Sequence, residues 1–170
     1  MQKLDKIKDV KVDMGVASFE SKKIPVKTKD KYSINQKIKV KNQSFTYSSV
    51  TVGNPHCVIF LKNTSKDLAL KFGRLIEENK LFPKRTNVQF AQIISKRKVK
   101  IEIWERGAGY TLASGSSSCG VVSVGYKLGL LSEKVEVIMP GGKLYIEINK
   151  DYKLTMKGPV EEICNGQLKL

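Results

Sequence analysis

Residues 113–130 read Ala-Ser-Gly-Ser-Ser-Ser-Cys-Gly-Val-Val-Ser-Val-Gly-Tyr-Lys-Leu-Gly-Leu, and this stretch decides the fold. Small and hydroxyl-bearing residues open it, and serine side chains suit a helix start because they accept hydrogen bonds from its free N–H groups. From Ser117 to about Leu130, Val121, Val122, Val124, Tyr126 and Leu128 make the segment apolar nearly all round. A helix without a polar face belongs inside a domain. Gly120 and Gly125 thin it on one side, which predicts another backbone packed closely there.

Strands surround that helix in the sequence. Upstream, Val99, Ile101 and Ile103 alternate with Lys100, Glu102 and Trp104 before Glu105-Arg106 and a Gly107-Ala108-Gly109 turn. Thr86 to Ile94 reads as another strand. Asn63-Thr64-Ser65 offers caps for a helix carrying Leu68, Phe72, Leu75 and Ile76, which stops near Asn79 ahead of Phe82-Pro83. Ser44 to Val52 is a strand ending in the turn Gly53-Asn54-Pro55, and His56 to Leu61 is an apolar strand after it. Val10 to Met14 alternates, Lys37-Ile38-Lys39-Val40-Lys41 has the pattern of a strand with one wet face, and Lys22 to Lys27 suits an edge strand because of Pro25. Downstream lie Val135 to Met139, a Pro140-Gly141-Gly142 turn, Lys143 to Ile148 and Tyr152 to Lys157. The expected architecture is a single α+β domain whose strands wrap around one central buried helix.

Composition narrows the function. The chain has 170 residues, 41% of them apolar, enough for one domain with its own core. No stretch approaches the roughly 18 apolar residues of a membrane span, and the opening Met-Gln-Lys-Leu-Asp-Lys-Ile-Lys lacks the apolar centre of a secretory signal. A cytoplasmic protein with no membrane contact is the expectation. Cys57, Cys119 and Cys164 are widely spaced and His56 is the only histidine, so neither a zinc site nor a disulfide framework is indicated and no metal is expected. The net charge of +15 comes mainly from Lys22 to Lys41 and Lys96 to Lys100. Lysine dominates and aromatic residues do not interleave, which reads as a solvated surface and makes nucleic acid an unlikely partner.

Two turns hold the residues capable of chemistry. After Ser114, the N–H groups of the buried helix start are unsatisfied and carry partial positive charge, a ready site for a carboxylate. The same serines also read as a plain helix cap, and sequence pattern alone leaves both readings open. The other turn is Gly53-Asn54-Pro55-His56, where a lone histidine is more often structural than catalytic. Asn87 likewise passes as a loop cap when taken by itself.

Taken in order, however, six motifs resemble those of diaminopimelate epimerases. They are Val12-Asp13-Met14-Gly15; Val52-Gly53-Asn54-Pro55-His56; Phe82-Pro83 followed by Thr86-Asn87-Val88-Gln89-Phe90; Glu105-Arg106-Gly107-Ala108-Gly109 with Thr111-Leu112-Ala113; Met139-Pro140-Gly141-Gly142-Lys143-Leu144; and Lys157-Gly158-Pro159-Val160. The likeness covers nearly the whole chain. It implies two similar α+β domains with the active site between them, and two cysteines on opposite faces of the substrate's α-carbon. One thiolate removes the α-proton and the other thiol returns one from the far side, with no cofactor. The implied substrate is diaminopimelate, converted from the LL to the meso form in lysine biosynthesis. By position, Asn54, Asn87, Glu105 and Arg106 correspond to groups that hold the substrate's distal amino and carboxylate ends. Gly115 and Ser116 correspond to backbone donors for its α-carboxylate, and His56 and Glu105 to groups that adjust the cysteines' protonation.

The chain departs from that pattern in three places. It begins about where the family's second domain begins, so the expectation is one domain equivalent to the C-terminal half, with the N-terminal half absent. Ser114 stands where the resemblance calls for the second catalytic cysteine, and is the candidate catalytic residue with Glu105 and His56. Tyr110 stands where the family carries glutamate. A hydroxyl is far less acidic than a thiol, which titrates near 8.5, and no neighbouring lysine is evident to activate it. Three readings follow: a split or truncated epimerase completed by an N-terminal half chain or by a homodimer, a ligand-binding remnant without catalysis, or a basic nucleic-acid-binding domain.

Overall fold

The computed structural model of the chain describes residues 9–161 and residue 163. Cys164 and the opening Met1–Lys8 stretch lie outside the described residues. Strands β1 (Asp9–Val16), β2 (Gln36–Val40), β3 (Gln43–Thr51) and β4 (Pro55–Phe60) precede helix α1 (Lys66–Glu77). β5 (Asn87–Ser95), β6 (Lys98–Glu105) and the short β7 (Gly109–Thr111) lead into α2 (Gly115–Lys127), and β8 (Lys134–Met139), β9 (Gly142–Ile148) and β10 (Lys153–Pro159) complete the described fold. The strands join into one sheet in the order β1-β10-β9-β8-β6-β5-β4-β3-β2, with β7 paired to β6 beside that path. Among the described strands only β4–β5 and β6–β8 run parallel. Parallel neighbours need a long crossover, and each of these pairs has one helix in its crossover, α1 in the first and α2 in the second.

Strand alternation puts the two helices on opposite faces. On β4, Cys57 and Ile59 pack with Ala69, Phe72 and Ile76 of α1, whereas Val58 packs with Val121, Val122 and Val124 of α2. On β6, Val99, Ile101 and Ile103 are wholly buried on the α2 side. Helix α2 is enclosed along most of its length, touching β3, β4, β5, β9 and β10. The expected α+β domain with strands around a central helix is what forms, and α1 covers the sheet's other face. Among the described residues no helix is long and apolar enough to cross a membrane.

Three local expectations need correction. Helix α2 starts at Gly115 and ends at Lys127, upstream of the expected Ser117–Leu130. Ser114 caps it by accepting from the Ser117 N–H, so the serines lie inside the first turn; Gly129, at φ 69°, closes the far end. Lys22–Lys27 is not a strand: the N–H groups of Lys23 and Ile24 both turn back to the Glu20 carbonyl, and Ile24 is buried by that turn. The neighbours of Gly120 and Gly125 are side chains and not backbone. A Cβ at Gly120 would lie 3.1 Å from His56 Cγ, and one at Gly125 would lie 2.4 Å from Leu131 Cδ1. The residues after the Gly107–Gly109 turn, to which the sequence reading assigns no element, form β7, because Gly107 (φ 78°) and Gly109 (φ 83°) fold the chain back onto β6.

Candidate active site

The site is organised by the start of α2. Ser114 is extended at φ −157° and ψ 122°, and its Oγ accepts from the Ser117 N–H at 3.4 Å. The Ser114 carbonyl takes the Ser118 N–H at 3.1 Å and the Ser118 hydroxyl at 2.9 Å. Among the described residues the N–H groups of Gly115 and Ser116 have no acceptor, so the positive end of a buried helix is open at two donors. Gly115 lies under the Met156 side chain of β10, whose Sδ would be 2.7 Å from a Cβ there and would have to shift.

Beside the helix start stand the ends of β4 and β5. His56 is fully buried; its Nε2 meets Asn54 Oδ1 at 2.8 Å and its Nδ1 meets Gln89 Nε2 at 3.1 Å. Asn54 Nδ2 reaches Ser116 Oγ at 3.5 Å. Burial, opposed by the Gln89 hydrogen bond and helped by the nearby Arg106 charge, brings the His56 pKa from its ordinary 6.5 down to about 3. The ring is neutral at physiological pH. Asn87 is also buried: its Nδ2 donates to the Pro55 carbonyl at 2.8 Å and its Oδ1 accepts from the Arg106 N–H at 2.9 Å. Asn87 therefore ties the β3–β4 turn to the β6–β7 turn and orients Arg106. The Arg106 guanidinium is exposed and donates to the Lys84 carbonyl at 3.2 Å. Glu105, half-buried at the end of β6, shares the α2 face with Ile103 by strand period; no hydrogen bond to its carboxylate occurs among the described residues.

The structure thus joins Asn54, His56 and Ser116 directly, joins Asn87 to Arg106 directly, and sets Ser114, Gly115 and Ser116 in one turn. Sequence reasoning missed Gln89, Ser117 and Glu77. Gln89 was visible as a polar residue two positions after Asn87 on the buried side of a strand. Glu77, on the buried stripe of α1, accepts from Trp104 Nε1 at 2.7 Å and from the Gly107 N–H at 2.9 Å. That carboxylate clamps the turn that carries Arg106.

Both departures at the site now have physical form. The Ser114 hydroxyl has no base within hydrogen-bonding distance among the described residues; its side-chain partner is the Ser117 N–H. Neither buried cysteine takes its place. Cys57 points to the α1 side and burial pushes its thiol far up, while burial pushes Cys119 up to about 12. Tyr110 pairs with Trp104 across the β6–β7 hairpin and so lies on the α1 side, donating its hydroxyl to Glu102 Oε2 at 2.7 Å. The change at position 110 is absorbed away from the α2 start. Among the described residues no group of three histidine, cysteine or carboxylate side chains is arranged to hold a metal ion.

The fold is shared with solved structures of low sequence identity. A hydroxyproline epimerase from Agrobacterium vitis, solved with bound trans-4-hydroxy-L-proline, superimposes with a TM-score of 0.65 over 89% of this chain and 50% of its own, at 10% identity. The diaminopimelate epimerase family profile matches residues 48–163, and the chain belongs to that family. A curated relative, diaminopimelate epimerase 2 of Nostoc, is 46% identical over 161 residues, covering 95% of this chain and 56% of the relative. The diaminopimelate epimerase of Alkaliphilus metalliredigens is 39% identical over 162 residues, 95% of this chain and 57% of that protein. The chain accordingly spans a little over half the length of the curated relatives it matches.

Proposed function

We propose that this chain forms one wall of a cofactor-independent amino-acid epimerase site, equivalent to the C-terminal half of a diaminopimelate epimerase. The substrate is diaminopimelate, interconverted between LL and meso forms in lysine biosynthesis. One observation carries the reading: two open N–H groups, those of Gly115 and Ser116, at the start of a buried helix, with Asn54 and Arg106 beside it. Such donors bind a carboxylate in the ground state. They also stabilise the charge that develops on it when the α-proton leaves. Arg106 can grip a second carboxylate in a bidentate fashion and so fix the substrate's register. Ser114, Glu105 and His56 stand at the catalytic positions, with Asn54, Asn87, Glu105 and Arg106 at the distal end of the substrate. The opposite wall comes from the part of the family's length that this chain does not cover.

Ser114 favours a second reading, in which the wall binds substrate without completing proton transfer, because no base activates its hydroxyl. The two readings part in a single assay. The chain is combined with the N-terminal half of the Nostoc relative, and solvent deuterium is followed into the α-position of LL-diaminopimelate. We expect slow exchange with Ser114 and an increase of about 10²–10⁴-fold for Ser114→Cys, the usual worth of an acid–base group. Slow exchange in both, with substrate still bound, supports the binding remnant. No binding in either removes the amino-acid site altogether.

A further inference from the structure

Behind the groups that face the helix start runs one polar loop, buried at His56, Gln89 and Ser117 and half-buried at Asn54 and Ser116. Gln89 lies on β5, on the same sheet face as Asn87, with no solvent exposure. Its Nε2 donates to Ser117 Oγ at 3.0 Å and meets His56 Nδ1 at 3.1 Å. His56 continues to Asn54 at 2.8 Å, and Asn54 continues to Ser116 Oγ at 3.5 Å. Ser116 and Ser117 are neighbours in the first turn of α2, so the loop closes on itself.

Its polarity follows from the atoms. An amide nitrogen only donates, so with Gln89 Nε2 turned towards the ring His56 Nδ1 is the acceptor and the ring's one proton sits on Nε2, donating to Asn54 Oδ1. With that oxygen engaged, Asn54 turns its Nδ2 towards Ser116. An imidazolium would set an N–H against the Gln89 N–H and break the loop. Arg106 is the charged group acting on the ring. The residues paired or packed on it, Val50 on β3, Asn87 on β5 and Gly120 on α2, do not titrate, and Cys119 beside Gly120 stays a thiol. Gln89 Oε1 is buried without a partner. That desolvation is unfavourable and an apolar side chain would avoid it; the hydrogen-bonded loop is what offsets it.

We infer that Gln89 is a positioning residue that fixes His56 as the Nε2–H tautomer and, through Asn54 on one arm and Ser117 on the other, sets the direction of the open Gly115 and Ser116 N–H groups. The inference rests on the reading that these groups receive the substrate carboxylate. It also gives His56 a role distinct from proton transfer, as a rigid neutral connector.

The test uses the fact that His56 is the only histidine in the 170 residues, so ¹⁵N-histidine labelling reports a single ring. In the wild-type chain the spectrum should show a protonated Nε2 and a bare Nδ1, unchanged from about pH 8 to pH 5 given a pKa of about 3. Gln89→Glu sets a carboxylate at Nδ1 and should move the ring's titration up by about 1–3 pH units, with a proton on both nitrogens. Gln89→Leu should release the ring into mixed tautomers and speed hydrogen exchange at Ser117 and Ser118, whose N–H groups are held by Ser114, by about fivefold, the loss of roughly one hydrogen bond, while Val124 to Lys127 exchange as before. A wild-type ring protonated on Nδ1 overturns the inference, and needs no variant that folds. So does a Gln89→Leu chain in which exchange quickens equally along α2, since that is a merely structural role. An Nε2–H ring together with no substrate binding in the deuterium assay supports the loop and ends the substrate reading instead.

Discussion

At the scale of single residues, position 114 is the cap of α2. A cysteine there would occupy the cap of α2, where the Ser117 N–H points at the side chain and the helix start favours negative charge. Ser114→Cys is therefore expected to give a thiol titrating below the roughly 8.5 of free cysteine. The measurement is the rate of alkylation against pH in a Cys164→Ser background. Cys57 and Cys119 stay silent because burial holds both thiols protonated. A titration at or above about 8.5 would place the new thiol off the helix start. His56 provides a second residue-scale expectation. Its folded pKa lies below its unfolded value, so between pH 6.5 and about 3 the unfolded chain takes up a proton that the folded chain refuses. Stability is then fully present above pH 6.5 and falls on acidification, by up to about 1.4 kcal/mol per pH unit. Urea unfolding at pH 7 and pH 5 should show this loss, and His56→Gln should show a smaller one.

Between elements, the close contact of α1 with β6 is the tightest test of the packing. A Cβ on Gly73 would lie 2.4 Å from Trp104 Cγ, on the rigid part of the ring. Gly73→Ala should destabilise the fold by about 1–3 kcal/mol through overpacking, and loosen the Glu77 clamp on the β6–β7 turn. Urea titration followed by fluorescence of Trp104, the only tryptophan, reads both effects; an unchanged midpoint would show that α1 stands further off the sheet. The elements themselves were largely legible in the sequence, because Ile38 and Val40 against Lys37 and Lys39, or Val99 to Ile103, carry a period that burial enforces. The short motifs at Asn54–His56, Asn87 and Glu105–Ser116 stood out only through their resemblance to diaminopimelate epimerases, and each sits where a strand or helix begins or ends. What could not be read is what depends on strand neighbours. Gln89 meets His56 only because β4 and β5 lie parallel and in one register, and Glu77 meets Gly107 only because α1 crosses that hairpin. Pairings over such sequence distances are set by topology, which no local pattern encodes.

For the whole molecule, the question is what covers the surface near the helix start. Val10 and Val12 on β1 are each 40% exposed, and Val12 stands in register with Met156 and Ile146 on the α2 side. Leu112, 58% exposed, lies just before the Ser114 turn. Apolar groups gathered on one face usually mark an interaction site. The chain should therefore self-associate, or bind the missing half of a relative, through this face. Its net charge of +15 opposes a homodimer, and salt screens that repulsion beyond about 10 Å at 0.1 M. Association should strengthen with salt, the reverse of nucleic-acid binding, and weaken in a Val10→Ser, Val12→Ser double variant. Sedimentation at low and high salt decides this, and a chain that is monomeric throughout would contradict it.

The pairing of β1 with β10 has a consequence for how the chain is made. Asp9 lies opposite Pro159 and Val16 opposite Lys153, so β1 is synthesised well before the strand it pairs with. At about 5–20 residues per second, β1 stays without its partner for on the order of ten seconds while the intervening segments of the chain are synthesised. Its unpaired edge and half-exposed valines are open to wrong partners throughout that interval. Slow late closure of a long-range strand pair is then the step at which yield is won or lost, and lower temperature or bound chaperone during synthesis should matter more to this chain than to a domain whose neighbours in space are neighbours in sequence.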